Sequence, residues 1–254
     1  MSAGDRVDDP ADAARAWRDA GQAAVCDVLR PWSHGTIARA TRFPDYWDFN
    51  VVRVEGDLGI SVGALIALAD EALAGLGHRR LDFDLPEAAE PLREELEAWG
   101  WKATRLLWMR HRASLPPAPE LAVETVPYDA VGELRSAWHQ EDFPGHDPGG
   151  FADQAREVAL LRDVRVLAVR EGGVPVAFAQ LEREGPAAEI SQVYVDPGHR
   201  GAGLGTAVTR AAIAAASGVG DLWICADDED RAKELYARLG FRAAWTTVQF
   251  LRLP

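Results

Sequence analysis

"VDPGHRGAGLGTAVTRA", Val195 to Ala211, places Gly201, Gly203 and Gly205 at alternate positions between an apolar run and an alanine-rich one. Without side chains, backbone N–H groups can converge on an anion, and a helix that follows adds partial positive charge at its first turn. Leu204, Val208, Ala211, Ala212 and Ala215 share one face at helical spacing, so a helix begins at these glycines. One glycine would satisfy a tight turn. Three beside Arg200 point to a phosphate.

Two phosphate loops compete at this level. A Walker loop needs Lys and Ser/Thr directly after its last glycine, and neither pair is present. The dinucleotide fingerprint nearly fits from Gly201, but Thr206 stands at its third glycine, while Asp221 or Asp227 could serve as the ribose acid. Against it, Pro197 interrupts the strand before the loop, and one strand–helix–strand unit remains, too few for a doubly wound domain.

Around the loop the elements alternate. "DAVGELRSAWHQ" and "GFADQAREVALL" read as helices, while "VRVLAVR", "VPVAFAQLER" and "AAEISQVYV" read as strands. "DLWICA" is a short strand, "EDRAKELYARL" a helix stopped at Gly240, and "FRAAWTTVQFLRL" a last strand. Hairpin strands followed by strand–helix–strand imply a mixed sheet with helices packed on it. The proline-rich "RASLPPAPELA", Arg112 to Ala122, reads as a linker and divides the chain into domains 1–115 and 116–254.

The first segment echoes the second. "ELEAWGWKA" (Glu95 to Ala103) is similar to "LYARLGFRA" (Leu235 to Ala243) at an offset of 140 residues, which also sets "ALIALADEAL" on the post-glycine helix. At that offset Arg200, Gly201, Gly203 and Gly205 face Ile60, Ser61, Gly63 and Leu65, so the first copy has lost its glycine loop.

R-x-x-G-x-G at Arg200–Gly205, preceded by "VYVDPGH" and followed by "LYARLGF", resembles the GNAT superfamily of acyl-CoA-dependent N-acyltransferases. The resemblance covers Leu121 to Pro254 and reaches the first half only through the degenerate repeat. It implies an α/β fold of two tandem domains, each a mixed, splayed sheet with helices on both faces. It further implies acyl transfer, of acetyl above all, from acyl-CoA to a primary amine of a small molecule or peptide by direct attack. Acetyl-CoA is then a co-substrate, and no metal is expected. Pyrophosphate would meet Arg200, Gly201, Ala202, Gly203, Leu204, Gly205 and Thr206. The pantetheine arm would pair with Val193, Tyr194 and Val195, and Ala232 and Lys233 would line the cofactor side.

The same resemblance gives Tyr236 the role of general acid and Glu189 that of base through water. A phenol is protonated at neutral pH and can donate to a thiolate; Tyr236 could equally be a core aromatic at a helix–strand junction. Strict alternation would put Glu189, Ser191, Val193 and Val195 on one face, and a carboxylate at a strand start can also be merely solvated. Glu229 replaces an asparagine frequent in the family, which puts contacts at the start of that helix in doubt. In the first half Leu96 replaces the tyrosine, so that copy supplies structure or part of the acceptor site.

Composition bounds the rest. The chain has 254 residues, 48% hydrophobic and 26% charged, with a formal net charge of −13. That sign repels nucleic acid; it would favour a cationic small molecule, but solubility is the simpler explanation of it. No 18-residue apolar run spans a membrane, and the acidic N-terminus lacks a signal-peptide pattern. Cys26 and Cys225 match no metal or redox spacing and read as buried free thiols, so a cytoplasmic location is expected; a monomer or homodimer is the expected state. Six of the nine tryptophans fall in the first half, where core packing is the simpler explanation and pocket lining the alternative. The other open readings are a non-catalytic coenzyme A sensor or interaction module, and a nucleotide-dependent oxidoreductase.

Overall fold

The computed structural model describes residues 9–114 and 121–253. Residues 115–120 of the expected linker, and residues 1–8 of the N-terminal stretch, lie outside the described residues. The strands are β1 (Val28–Trp32), β2 (Gly35–Arg39), β3 (Val51–Val54), β4 (Arg79–Phe83), β5 (Lys102–His111), β6 (Glu124–Val126), β7 (Arg165–Glu171), β8 (Val174–Glu184), β9 (Ala187–Val195), β10 (Asp221–Asp227) and β11 (Phe241–Arg252). The helices are α1 (Pro10–Val25), α2 (Val62–Ala72), α3 (Pro86–Ala89), α4 (Arg93–Ala98), α5 (Gly132–Asp142), α6 (Gly149–Leu161), α7 (Leu204–Ala215) and α8 (Ala232–Arg238).

All eleven strands join one mixed sheet in the order β1-β2-β3-β4-β11-β5-β10-β9-β8-β7-β6. Each half therefore lends its last strand to the other. β11 lies between β4 and β5, and β5 lies between β10 and β11, all antiparallel. The β5–β11 register is close to two-fold symmetric about the Leu106–Thr247 and Leu107–Thr246 pairs, with Trp108 opposite Trp245 and Arg105 opposite Val248. Adding 140 to each residue number carries α2 onto 202–212, within α7 but for its first two residues, and α4 onto 233–238, within α8. The same offset carries β3 onto 191–194 and β4 onto 219–223, which overlap β9 and β10, although the parallel register of the two pairs differs by five residues.

Helices cover both faces. Alternation along β4, β10 and β11 sends Leu81, Phe83, Ile224, Val248 and Phe250 into cores with α2, α4, α7 and α8. The intervening residues face α1, α5 and α6. Helix α1 begins at a strong start signal, with Pro10 in its first turn and the Asp9 carboxylate accepting from the Ala11 N–H. It buries Ala14, Trp17, Gly21, Gln22 and Val25 along one stripe against the sheet and α6. Among the described residues no helix is long and apolar enough to cross a membrane.

The sheet splays where the glycine loop begins. β9 and β10 pair from Ala187–Asp221 to Ile190–Ile224 and then part, although β9 continues to Val195 and β10 to Asp227. Gln192 at φ 47° inserts a bulge opposite β8 there. The bulge overturns the expected alternation: Glu189 and Ser191 face α1 and α5, whereas Val193 and Val195 turn to the α7 side. The extra residue swaps faces for everything after it.

Candidate active site

Gly201 and Gly203 adopt φ of 84° and 79°, a conformation that penalises any Cβ, and a Cβ at either would meet no atom within 4 Å. They shape the turn and leave its concave side open. Gly205 differs: its backbone is ordinary, and a Cβ there would touch Val195 and Leu235 at 3.6 and 3.7 Å. Gly203 caps α7, and the Ala207 N–H makes the first bond, to the Gly203 carbonyl at 3.0 Å. The N–H groups of Leu204, Gly205 and Thr206 thus stand at the free end of the helix, beside Gly201 and Ala202, as an anion nest requires.

Arg200 does not point into this nest. Its Nη2 donates to Glu141 Oε2 at 2.7 Å and its Nε to the Val195 carbonyl at 3.1 Å, with the guanidinium 5.6 Å from the Tyr194 ring centroid. The Tyr194 hydroxyl donates to the same Glu141 oxygen at 3.1 Å. The arginine hydrogen bond holds the Glu141 carboxyl below its usual range.

Val193, Tyr194 and Val195 lie in the stretch of β9, Ser191 to Val195, that β10 leaves unpaired. Beside it, on the α1, α5 and α6 face, lies a cavity of about 430 Å³. Its floor is Glu182, Glu189, Ser191, Cys225, Thr247 and Gln249, and its walls are largely aromatic: Trp17, Tyr46, Trp47, Trp108, Trp138 and Phe151. Both halves build it. Four of the nine tryptophans line it, so here pocket lining competes with core packing as the reason for their number.

Glu189 is set by these surroundings. Its Oε2 accepts from Trp17 Nε1 at 2.6 Å, and Glu182 lies directly opposite it on β8. Burial and the Glu182 charge raise its pKa to about 7, against the opposing pull of the Trp17 bond and Arg162. Glu182 is fully engaged, accepting from Arg162 Nε at 3.1 Å, Gln180 Nε2 at 3.1 Å and Ser191 Oγ at 2.8 Å. Glu189 is therefore the carboxylate free to exchange a proton near neutral pH.

Tyr236 sits on α8 in the core of the opposite face, 6% exposed, with its ring edge-on to Phe241 at 6.3 Å. Burial raises its pKa, so the phenol keeps its proton. It does not line the cavity; Glu189 and Tyr236 are on opposite sides of the sheet, separated by the splay. Ala232 packs against the same core as Tyr236. Lys233 is bound to Asp228, through its carbonyl and its carboxylate, the latter at 2.9 Å. Asp227 caps the preceding turn, its Oδ1 accepting from the Glu229 N–H at 2.8 Å.

Sequence reading missed Trp17, Gln22, Arg80, Trp138, Arg162 and Glu182, all lining the cavity. One signal was present: along β8, polar Gln180, Glu182 and Glu184 alternate with buried Ala179 and Leu181, marking a face that meets something polar. Nothing local marks Trp17 or Arg80, because they reach the site through the strand exchange.

Residues 130–241 match the Acetyltransferase (GNAT) family. The mycothiol acetyltransferase of Thermobispora bispora is 29% identical over 194 residues, 64% of this chain and 61% of that protein, so the chain spans about three fifths of this curated relative. Among solved structures, a functionally unknown conserved protein from Staphylococcus epidermidis superposes with a TM-score of 0.70 at 17% identity, covering 90% of this chain and 94% of that one. A GCN5-related N-acetyltransferase from Kribbella flavida does so with a TM-score of 0.57 at 19% identity, covering 96% and 95%. Residues 130–241, which hold the loop and the splay, are therefore a domain similar to the acetyltransferases of the GNAT family.

Proposed function

We propose that the chain is an acyl-CoA-dependent N-acyltransferase that moves an acetyl group from acetyl-CoA to a primary amine held in the cavity. The observation that carries this reading is the parting of β9 and β10 after Ile190–Ile224, which opens a gap between an anion nest and a cavity holding a carboxylate of raised pKa. The residues suit coenzyme A: the concave side of Gly201 and Gly203 is open, and the N–H groups of Gly201 to Thr206 can take pyrophosphate. The unpaired edge at Val193 to Val195 can take the amide groups of a pantetheine arm. Coenzyme A supplies the activated thioester.

The chain's own residues then handle protons. Glu189, directly or through a water, accepts the proton lost by the amine as the C–N bond forms, and Trp17 holds its carboxylate in place. A main-chain N–H near Val193 polarises the thioester carbonyl. Tyr236 hands its proton to the sulfur as the C–S bond breaks, after which the phenol recovers one from solvent. Among the cofactor-side residues, Ala232 gives an apolar wall, and Lys233 acts only after leaving Asp228. The halves 1–115 and 116–254 are, on this reading, diverged copies of one fold; the corresponding elements and the near-symmetric β5–β11 register support that.

Release of free thiol from acetyl-CoA, measured against a panel of amines, tests the proposal. Amine-dependent release that Glu189→Gln abolishes supports it, and stoichiometric binding of coenzyme A without turnover of any amine favours a sensor instead.

A further inference from the structure

The charges around the cavity are not evenly satisfied. Three guanidiniums line it, and each is committed to carboxylates. Arg18 is bound to Asp84 and Asp19, Arg80 to Asp48 and to Asp82 at 2.8 Å, and Arg162 to Glu182 at 3.1 Å and Glu184 at 2.7 Å. Arg162 is also spread over the Trp17 ring, 5.1 Å from its centroid. The remaining cation candidate, His139, is pushed down by burial and by the neighbouring His146, so it is neutral at pH 7.

The acceptors tell the opposite story. Among the described residues, Glu189 and Asp142 are the lining carboxylates with no guanidinium or ammonium within 4 Å. Asp142 stands at the rim, at the C-terminal end of α5, where the helix dipole disfavours an acid. Gln22 is 4% exposed, lines the cavity, and its Oε1 has no hydrogen-bond donor. A buried carbonyl oxygen is rarely left unpaired in a finished structure. Between these oxygens the walls are ring faces and edges, including Trp47 edge-on to Phe143 at 4.9 Å, the kind of surface that holds organic cations and flat apolar bodies.

We infer that the acceptor is an organic cation, a primary amine on an aromatic or aliphatic body without an anionic group, which Asp142 meets at the rim and Gln22 and Glu189 receive inside. This rests on the cavity being the acceptor pocket of the proposed transferase. Acids, phosphorylated amines and acidic peptides would find every guanidinium taken.

The probes are 2-phenylethylamine, glucosamine and glutamate, each tested with the full chain for thiol release from acetyl-CoA and for quenching of tryptophan fluorescence. The expected result is saturable quenching by 2-phenylethylamine, with a specificity constant at least tenfold above the other two. Asp142→Asn and Gln22→Leu should each weaken that quenching at least threefold while binding of coenzyme A is kept, and the retained binding shows that they fold. Equal or better binding of glucosamine or glutamate overturns the inference, as does unchanged affinity in both variants. Quenching by 2-phenylethylamine without turnover of any amine supports the cation site and overturns the transferase reading, so the two failures are told apart.

Discussion

Arg200 of the glycine loop and Glu141 of α5 hold each other at 2.7 Å, and the residue after Glu141 is the rim acid of the cavity. The glycine loop and the cavity are thus linked through this ion pair. An arginine drawn onto pyrophosphate must leave Glu141 and the Val195 carbonyl, which frees the β9 edge at the same moment.

The first prediction follows from that competition. Glu141→Gln should tighten coenzyme A binding, by no more than roughly fivefold, because exposed ion pairs are worth about 1 kcal/mol or less. Arg200→Glu should weaken it by well over tenfold, on the order of 2 kcal/mol, through repulsion at the nest. Titration calorimetry on both variants checks the pair of signs; a Glu141→Gln protein that binds less tightly would refute the competition.

Glycine replacement separates shape from space. Gly203→Ala puts a side chain at φ 79° and should cost about 1–2 kcal/mol of stability as well as affinity for coenzyme A. Gly205→Ala adds a methyl at ordinary contact distance from Val195 and Leu235, within the helix, and should hold or raise the melting temperature. Thermal melts of both variants would show it.

Glu189 gives a pH signature with two parts. Its folded pKa of about 7 lies above the ordinary carboxylate value, so the folded state holds the proton more tightly than the unfolded one. Stability from this group is present at low pH and is lost as pH rises through 7. Glu189→Gln should therefore raise the melting temperature at pH 8 and change it little at pH 4. The wild-type kcat/KM should climb toward a plateau above pH 7, and the variant should lack that limb. A flat wild-type profile with chemistry rate-limiting would remove Glu189 as the base.

For Tyr236 the expectation is that Tyr236→Phe slows turnover by about 10²–10⁴-fold, the usual worth of a general acid, while coenzyme A affinity is kept. A residue that only packs would instead lose roughly 1 kcal/mol of stability and leave turnover as it was. Steady-state kinetics beside a melt distinguish the two.

What could be read from the sequence was local. β9 and α7 begin and end where periodicity and the glycines place them, and the loop's left-handed turns follow from Gly201 and Gly203. The Gln192 bulge was not legible, because no glycine or proline marks it, and it moved Val193 and Val195 away from Glu189. The cavity was hidden for a different reason. Trp17 and Glu189 are 172 positions apart, and it is the exchange of β5 and β11, with the packing of α1 on α6, that brings their halves together. Pairings of that range leave no periodic trace.

The exchange of β5 and β11 also makes the chain resist division. Residues 121–254 expressed alone would leave β10 and β11 without the strand between them, and residues 1–114 would lack the partner for β4. Each fragment should aggregate through its bared edges, and the two together should recover a folded, coenzyme-binding complex. The same interlock bears on inheritance. Substitutions at 60–65 disturb no ligand loop and can accumulate, whereas Lys102–His111 is a structural part of the other half and cannot be discarded. Loss of either half would open the sheet of the other, whatever chemistry each half carries.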